Sequence, residues 1–240
     1  MPRFSIRMND MKKMLLALCT LALATSCIYS VNLNLGNRIV CKGNVKTEEM
    51  DLGPFSQVVV NGSADLEIIQ KGTCSVKVEA NEEVFQYLDY RVENGALILE
   101  TKKDGNPVQL SANTFNVYVY VPEMESLAIN GAADAKLKSY TSDKDVSIEV
   151  NGSADMELDY IQVPSLSFTI NGAGDVEAKH IDVEDLSISI NGAGDMEIGG
   201  KAGYAKMHVS GAGDIDALEL DCPRIDKSKT GVASIRVRKD

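Results

Sequence analysis

The chain has 240 residues with 24 basic and 35 acidic side chains, for a net charge of −11 at pH 7. Its first 26 residues hold four basic and one acidic residue, so the remainder carries 20 basic against 34 acidic residues and a net charge of −14. A chain this acidic repels nucleic acid and anionic lipid headgroups, which leaves cations or cationic surfaces as the more plausible partners. About 210 residues are enough for one sizeable domain.

The N-terminus predicts export. Lys12 and Lys13 precede an apolar run from Met14 to Ala24, which is too short to cross a bilayer as a helix of about 20 residues. We therefore assign residues 1–26 to a secretory signal peptide. Small residues directly before Cys27 resemble a bacterial lipobox, which implies cleavage before Cys27, its acylation (palmitate) and an anchor in the outer membrane. Ordinary cleavage nearby, with Cys27 incidental, is the alternative.

Residues 27–44 are polar and show little sustained pattern, so we expect a tether that leads into one domain at residues 45–237. The cysteines within this part form an odd, widely spaced set and do not resemble a disulfide framework. Export would permit one bridge, for which Cys41 and Cys74 are the easier pair, leaving Cys222. Neither the cysteines nor the two histidines cluster as the ligands of a zinc site do.

A five-residue phrase, Asn-Gly-x-x-Asp, organises the rest of the chain. Its six copies are Asn61–Asp65, Asn130–Asp134, Asn151–Asp155, Asn171–Asp175, Asn191–Asp195 and Ser210–Asp214. A degenerate seventh copy is Thr230–Ser234. From Asn130 onward each copy begins almost the same distance after the one before it, with a period of about 20 residues. A period this regular indicates that each copy is one structural turn stacked on the last.

The stretch between the first two copies is irregular. Asn81 precedes an apolar and acidic segment that predicts a short helix with Asn81 as its N-cap. Asn94-Gly95 lies between two short alternating segments and predicts a β-hairpin. The run Phe115–Val121 predicts a further strand. We interpret this part as an irregular first portion of the repeat, or a cap over it.

Strict alternation of apolar and polar residues on both sides of each phrase predicts strands with one buried face. Asn-Gly suits a hairpin turn, so an antiparallel sandwich is the alternative. However, each period also holds a third apolar stretch, such as 181–183, and a coil explains why every corner repeats the same residues. We predict an all-β fold: a right-handed parallel β-helix, or solenoid, with turns of about 20 residues.

Within each corner, stacked Asn side chains could form a ladder of hydrogen bonds between turns. The Gly is expected to supply a backbone conformation that a Cβ would strain.

Acidic side chains recur two residues apart after each corner and therefore point outward together. Stacking sets like charges about 5 Å apart, with a repulsion of about 0.8 kcal/mol per neighbouring pair in water. Backbone N–H groups at the corners could offset it, and bridging calcium is the alternative, which a calcium-dependent melting temperature would reveal. Lys136 interrupts the second column. The candidate binding residues of this acidic ladder are Asp155, Glu157, Asp175, Glu177, Asp195, Glu197 and Asp214.

Paired carboxylates also suggest a carbohydrate-active lyase or hydrolase, since β-helices host such enzymes. An active site, however, breaks a repeat with unique residues, whereas these acids recur identically and no long excursion builds a cleft. We therefore expect no enzyme, no catalytic residues and no cofactor apart from the calcium alternative.

Basic residues crowd the last turn of the chain. Charge on a terminal edge discourages end-to-end stacking, so we interpret these residues as edge protection, with a binding patch as the alternative. They are Arg224, Lys227, Lys229, Arg236, Arg238 and Lys239.

The segment Phe55–Gly72, the run Val117–Pro122 and the series of Asn/Ser-Gly-Ala-Gly-Asp corners resemble the head GIN domain of autotransporter adhesins over about residues 45–237. That resemblance implies a right-handed β-helix on the bacterial cell envelope and brings no catalytic residues with it. Residues 28–31 lack the acidic run that often marks surface export, so surface and periplasm-facing positions both stay open. We expect an adhesin-like module that binds a glycan or protein through its faces, with a structural spacer as the alternative.

Overall fold

The computed structural model describes residues 38–238, so the predictions for residues 1–26 and Cys27 lie outside the described residues. This range holds seventeen β strands and one 3-10 helix, Glu82–Tyr87. The strands are β1 (Ile39–Val40), β2 (Val45–Met50), β3 (Gln57–Asn61), β4 (Ser63–Gln70), β5 (Ser75–Asn81), β6 (Leu88–Glu93), β7 (Ala96–Lys103), β8 (Asn106–Pro107), β9 (Leu110–Ser111), β10 (Phe115–Val121), β11 (Ser126–Ile129), β12 (Ala132–Thr141), β13 (Val146–Val150), β14 (Ser153–Ile170), β15 (Ala173–Ala193), β16 (Met196–Asp221) and β17 (Ile225–Val237). No helix within this range is long and apolar enough to cross a membrane.

The chain coils into a parallel β-solenoid of about six turns with a spacing of about 20 residues. Each residue pairs with its equivalent one turn away, so Asp155 lies beside Asp175 and Ile170 beside Ile190. Strands β14 to β17 stay extended around several corners, and every pairing among them is parallel. The predicted solenoid is confirmed, and the antiparallel sandwich is excluded.

The core consists of inward columns that alternate with outward polar positions. Side chains at one position of successive turns stack directly on one another, and each loses nearly all of its solvent exposure. Burying one such side chain contributes about 1.5–3 kcal/mol. Two of these columns are Ile148, Phe168, Ile188 and Met207, and Val150, Ile170, Ile190 and Val209.

Antiparallel strands close the N-terminal end. The predicted hairpin is formed by β6 and β7, and its turn residues Asn94 and Gly95 both have the positive φ that suits a tight primed turn. Strand β10 joins the two parts of the sheet, because it pairs in parallel with β4 and antiparallel with β5. The irregular stretch is therefore both the first turn of the solenoid and its cap.

The prediction that Asn81 caps the helix with its side chain is wrong. The predicted helix is present as the 3-10 helix, but the Asn81 side chain makes no capping hydrogen bond to it. Its Oδ1 instead accepts hydrogen bonds from the N–H groups of Asn113 and Thr114 at 2.9 and 3.1 Å, and its Nδ2 donates to the Gly43 carbonyl at 3.0 Å. Distant segments, which local sequence does not reveal, supply better partners for this buried amide than the helix does.

The fold begins earlier than the expected start at Val45. Strand β1 pairs with β9, and Cys41 beside it is only 2% exposed, so residues 38–44 pack against the domain. Cys41, Cys74 and Cys222 are all free thiols, and the bridge between Cys41 and Cys74 is not formed. Burial raises the pKa of the Cys41 thiol, and the nearby Glu83 carboxylate raises it further.

Candidate functional site: an acidic groove along the solenoid

The Asn residues of the phrase form one continuous ladder, as the sequence suggested. Each Nδ2 donates to the Oδ1 of the Asn one turn earlier, at distances of 2.9–3.0 Å. Because all the amides point the same way, each hydrogen bond polarises the next. In donor order the ladder is Asn191, Asn171, Asn151, Asn130 and Asn61.

Glu100 ends this ladder with a negative charge. Its carboxylate accepts hydrogen bonds from Asn61 Nδ2 at 2.7 Å and Arg91 Nη1 at 2.8 Å, and it pairs with Lys102 Nζ at 2.6 Å. Burial by itself would raise the pKa of Glu100, but the hydrogen bonds from Lys102, Arg91 and Asn61, with the Arg91 charge, lower that pKa to about 2. The charge lies at the acceptor end of the ladder, where it strengthens the first amide hydrogen bond.

Replacing Glu100 by Gln is expected to lower the free energy of unfolding at pH 7 by about 1–2 kcal/mol. A lowered carboxyl pKa stabilises the fold above the unfolded pKa near 4.5, and this stabilisation is lost as the pH falls toward 2. Urea unfolding at several pH values should therefore show the largest gap between the two proteins above pH 4.5 and almost none near pH 2. Glu93→Gln is the control, because Glu93 pairs with Arg91 but is 55% exposed. An equal gap at every pH would contradict the role given to Glu100.

Corner aspartates accept hydrogen bonds from the backbone of the following turn. The Oδ1 atoms of Asp175, Asp195 and Asp214 accept from the N–H groups of Asp195, Asp214 and Ser234 at 3.4, 2.9 and 2.8 Å. These N–H groups offset part of the repulsion along the column, and a charged acceptor strengthens each such bond. The observation agrees with the predicted hydrogen-bonded corner.

Basic side chains neutralise much of the second acidic column. Four of its carboxylates form ion pairs at 2.7–3.1 Å. Hydrogen bonds to Glu157 and Glu177 raise the pKa of Lys136 and Lys179 respectively. The four pairs are Glu67–Lys138, Glu157–Lys136, Glu177–Lys179 and Asp216–Arg236.

Within residues 38–238, no three His, Cys, Asp or Glu side chains are arranged so that they could hold a metal ion. Calcium bridging between carboxylates of neighbouring turns stays a prediction. It is tested by comparing the melting temperature of the protein in calcium with that in a chelator.

The two acidic columns line an open groove of about 640 Å³, which we call the acidic groove. Nine carboxylates line it against two basic side chains, Lys136 and Arg236. Its walls include residues from six successive turns, and at about 4.8 Å per turn the groove is roughly 24 Å long. All seven residues predicted from the sequence lie in it: Asp155, Glu157, Asp175, Glu177, Asp195, Glu197 and Asp214.

A smaller depression of about 340 Å³ continues the acidic groove toward the N-terminal cap. Burial raises the pKa of Asp65 in this depression, and the neighbouring Asp134 carboxylate raises it further. Asn116 and Tyr118 also line it, and the sequence analysis missed both. Their strand β10 alternates visibly, but nothing in the sequence indicated that it lies beside β4.

The acidic groove presents two rows of hydrogen-bond acceptors at the spacing of the turns. Such a surface suits an extended ligand that carries hydroxyl, amide or cationic donor groups at several points along its length. Fold and groove together define a repeat-built β-solenoid with one long, negatively charged concave face.

The chain belongs to the family described as putative auto-transporter adhesin, head GIN domain, whose match spans residues 54–240. The resemblance inferred from the corner phrases is thereby confirmed. No curated protein matches the chain.

Several crystal structures share the fold. A putative lipid binding protein from Parabacteroides distasonis ATCC 8503 is 23% identical with a TM-score of 0.70, over 85% of this chain and 98% of that one. A putative adhesin from the same organism is 18% identical with a TM-score of 0.73, over 84% of each chain. A putative adhesin from Bacteroides fragilis NCTC 9343 is 14% identical with a TM-score of 0.61, over 83% of this chain and 99% of that one. At these identities the similarity shows the fold alone.

Proposed function

We propose that the protein is a non-enzymatic, adhesin-like module of the bacterial cell envelope, which binds a glycan or a protein along its acidic groove. Membership of an adhesin-head family supports the adhesin-like role and the envelope location. The groove is the observation that carries the proposal, because it is long, open and lined by acceptors in two regular rows.

The composition of the groove limits the ligand. Three of the nine carboxylates form ion pairs with Lys136, Lys179 and Arg236, and the other six leave the groove with a net negative charge. Anionic chains are therefore disfavoured, and hydroxyl-rich or cationic ligands are favoured. Contacts repeated over several turns would add up, since four successive turns offer the same pair of acidic positions to a ligand that is itself extended. A cationic ligand should bind more weakly as the salt concentration rises, because salt screens exposed charges.

Removing two charges from the middle of the groove should weaken ligand binding without unfolding the protein. The variant is Glu177→Gln with Glu197→Gln, chosen because neither side chain bonds to a corner N–H group. The soluble chain beginning at Ile28 would be applied to an array of glycans and matrix proteins. We expect at least one ligand that the variant binds about tenfold more weakly than the unmodified protein does, equivalent to about 1.4 kcal/mol.

The matched control removes the same charge from another face of the solenoid, in the turn that holds Glu177. Asp182 and Glu184 are also exposed and two residues apart, but they lie outside the acidic groove. Asp182→Asn with Glu184→Gln should leave binding unchanged. An array with no ligand, or binding that only the control variant loses, would contradict the proposal. Cleavage of a bound glycan would contradict its non-enzymatic part.

We further propose that a lipid on Cys27 anchors the domain in the outer membrane, on either its outer or its periplasmic side. The proposal is supported by the signal-like N-terminus and the small residues before the cysteine. Cys27→Ala should move the protein from the membrane fraction to the soluble fraction and abolish labelling by palmitate. Unchanged fractionation and labelling would contradict the anchor.

A further inference from the structure

The last turn of the solenoid ends in an edge. Strand β17 pairs on one side with β16, and no strand within residues 38–238 pairs with its other side. A long edge with free N–H and C=O groups is a template on which another chain can add a strand. A second copy is the nearest candidate, because its own edge has the same length and spacing.

Two lysines occupy core positions of this last turn. Lys227 pairs in register with Met207 and Lys229 with Val209, and both of those partners are inward side chains with 0% exposure. Side chains at paired positions of a parallel ladder point to the same face. The apolar columns that run through the earlier turns therefore end in lysine.

Lysine suits the end of an apolar column, and Lys227 and Lys229 are both exposed. Met207 and Val209 are fully buried although only one turn lies beyond them, and lysine can lay its methylene groups on apolar surface while its ammonium stays in water. Lys229 reaches across the corner, where its Nζ donates to the carbonyl of Ala233 at 2.6 Å. The N-terminal end is closed differently, by antiparallel strands and the 3-10 helix.

We propose that Lys227 and Lys229 terminate the solenoid by blocking the addition of a second copy at β17. A strand added at this edge would bury both ammonium groups beneath it. An ammonium taken out of water without a carboxylate partner is strongly disfavoured, and inward-pointing charge is an established means of protecting a sheet edge. These two positions, and not the general basicity of the last turn, keep the edge free.

The test restores the column residues in the soluble chain that begins at Ile28. Lys227→Met with Lys229→Val copies Met207 and Val209 from the turn before. Sedimentation equilibrium over a range of concentrations should show a monomer for the unmodified chain. The variant should associate, with an apparent mass of about twice the monomer mass or more.

Two further variants separate the proposal from a general effect of lost charge. Lys201→Met with Lys206→Val removes the same charge from exposed positions and should stay monomeric. Lys227→Glu with Lys229→Glu keeps charge in both columns and should also stay monomeric. Far-UV circular dichroism checks that each variant is folded, and Lys227→Met alone replaces the double variant if that one fails to fold. A folded column variant that remains monomeric, or an unmodified chain that already associates through this end, would overturn the proposal.

Discussion

Replacing Gly172 by Ala is expected to lower the free energy of unfolding by about 3 kcal/mol or more, a large fraction of the roughly 5–15 kcal/mol that is typical of a folded domain. A Cβ on Gly172 would fall on the carbonyl oxygen of Gly152 in the preceding turn, far inside van der Waals contact. The two backbones cannot separate cheaply, because hydrogen bonds of 2.7 and 2.9 Å tie Asn171 to Val150 and Ala173 to Gly152 on either side. Relief would require breaking the ladder at a corner.

Urea unfolding followed by far-UV circular dichroism measures the effect, with Gly72→Ala as the matched control. A Cβ on Gly72 has no atom within 4 Å, and its φ is not in the left-handed region. The control should therefore change the free energy of unfolding by no more than about 1 kcal/mol. Equal stability of the two variants would show that the corners can move apart.

The sequence predicted that the corners need glycine, but for a different reason. A strained backbone conformation was expected, and the corner glycines Gly62, Gly211 and Gly231 do have positive φ, but the four between them, Gly131, Gly152, Gly172 and Gly192, do not. What a side chain would meet is the carbonyl one turn below. The sequence of one turn indicates only a turn motif. The constraint at these glycines is the short distance between equivalent backbone atoms in neighbouring turns.

The fold was predictable where the chain repeats and less so where it does not. A regular period fixes both the pairing partner and the register, so columns such as Asp155 beside Asp175 follow from the spacing of the corner phrases. The irregular stretch gives no such rule. There β10 pairs with β4 although several other strands lie between them in the sequence, and Asn81 bonds to segments far from it along the chain. Contacts of that range have no local signature.

The candidate site was predicted in part for the same reason. Its two acidic rows follow from the repeat, but which carboxylates are neutralised by basic side chains depends on side-chain geometry. Lys136 pairs with Glu157 of the next turn, whereas Lys179 pairs with Glu177 of its own turn. The choice of partner depends on the conformation of these long side chains. Tyr118 and Arg236, near the two ends of the concave face, come from segments that the sequence analysis had assigned to capping and edge protection.

Tyr140→Phe, which removes the hydroxyl of Tyr140, should lower the free energy of unfolding by about 2–4 kcal/mol. The ring is fully buried, and its hydroxyl both accepts a hydrogen bond from the Met124 N–H at 2.6 Å and donates one to the Met124 carbonyl at 3.1 Å. Phenylalanine fills the same space but leaves two buried backbone groups without that partner. A buried polar group that loses its partner keeps the full cost of its desolvation.

Tyr160→Phe is the control, since the Tyr160 hydroxyl bonds to the Gln162 side chain at the exposed surface. Its loss should change stability by less than about 0.5 kcal/mol in the same urea titration.

The equivalent positions in the two following turns are Ile161 and Ile181, so a third variant, Tyr140→Ile, separates packing from hydrogen bonding. If the hydroxyl matters, Tyr140→Ile should be no more stable than Tyr140→Phe, although isoleucine is the residue of this column in the later turns. Met124 lies between β10 and β11, outside the ladder that satisfies the backbone elsewhere, so this turn needs a side chain where the later turns do not. If Tyr140→Phe is as stable as the Tyr160→Phe control, water must reach Met124 and take the place of the hydroxyl.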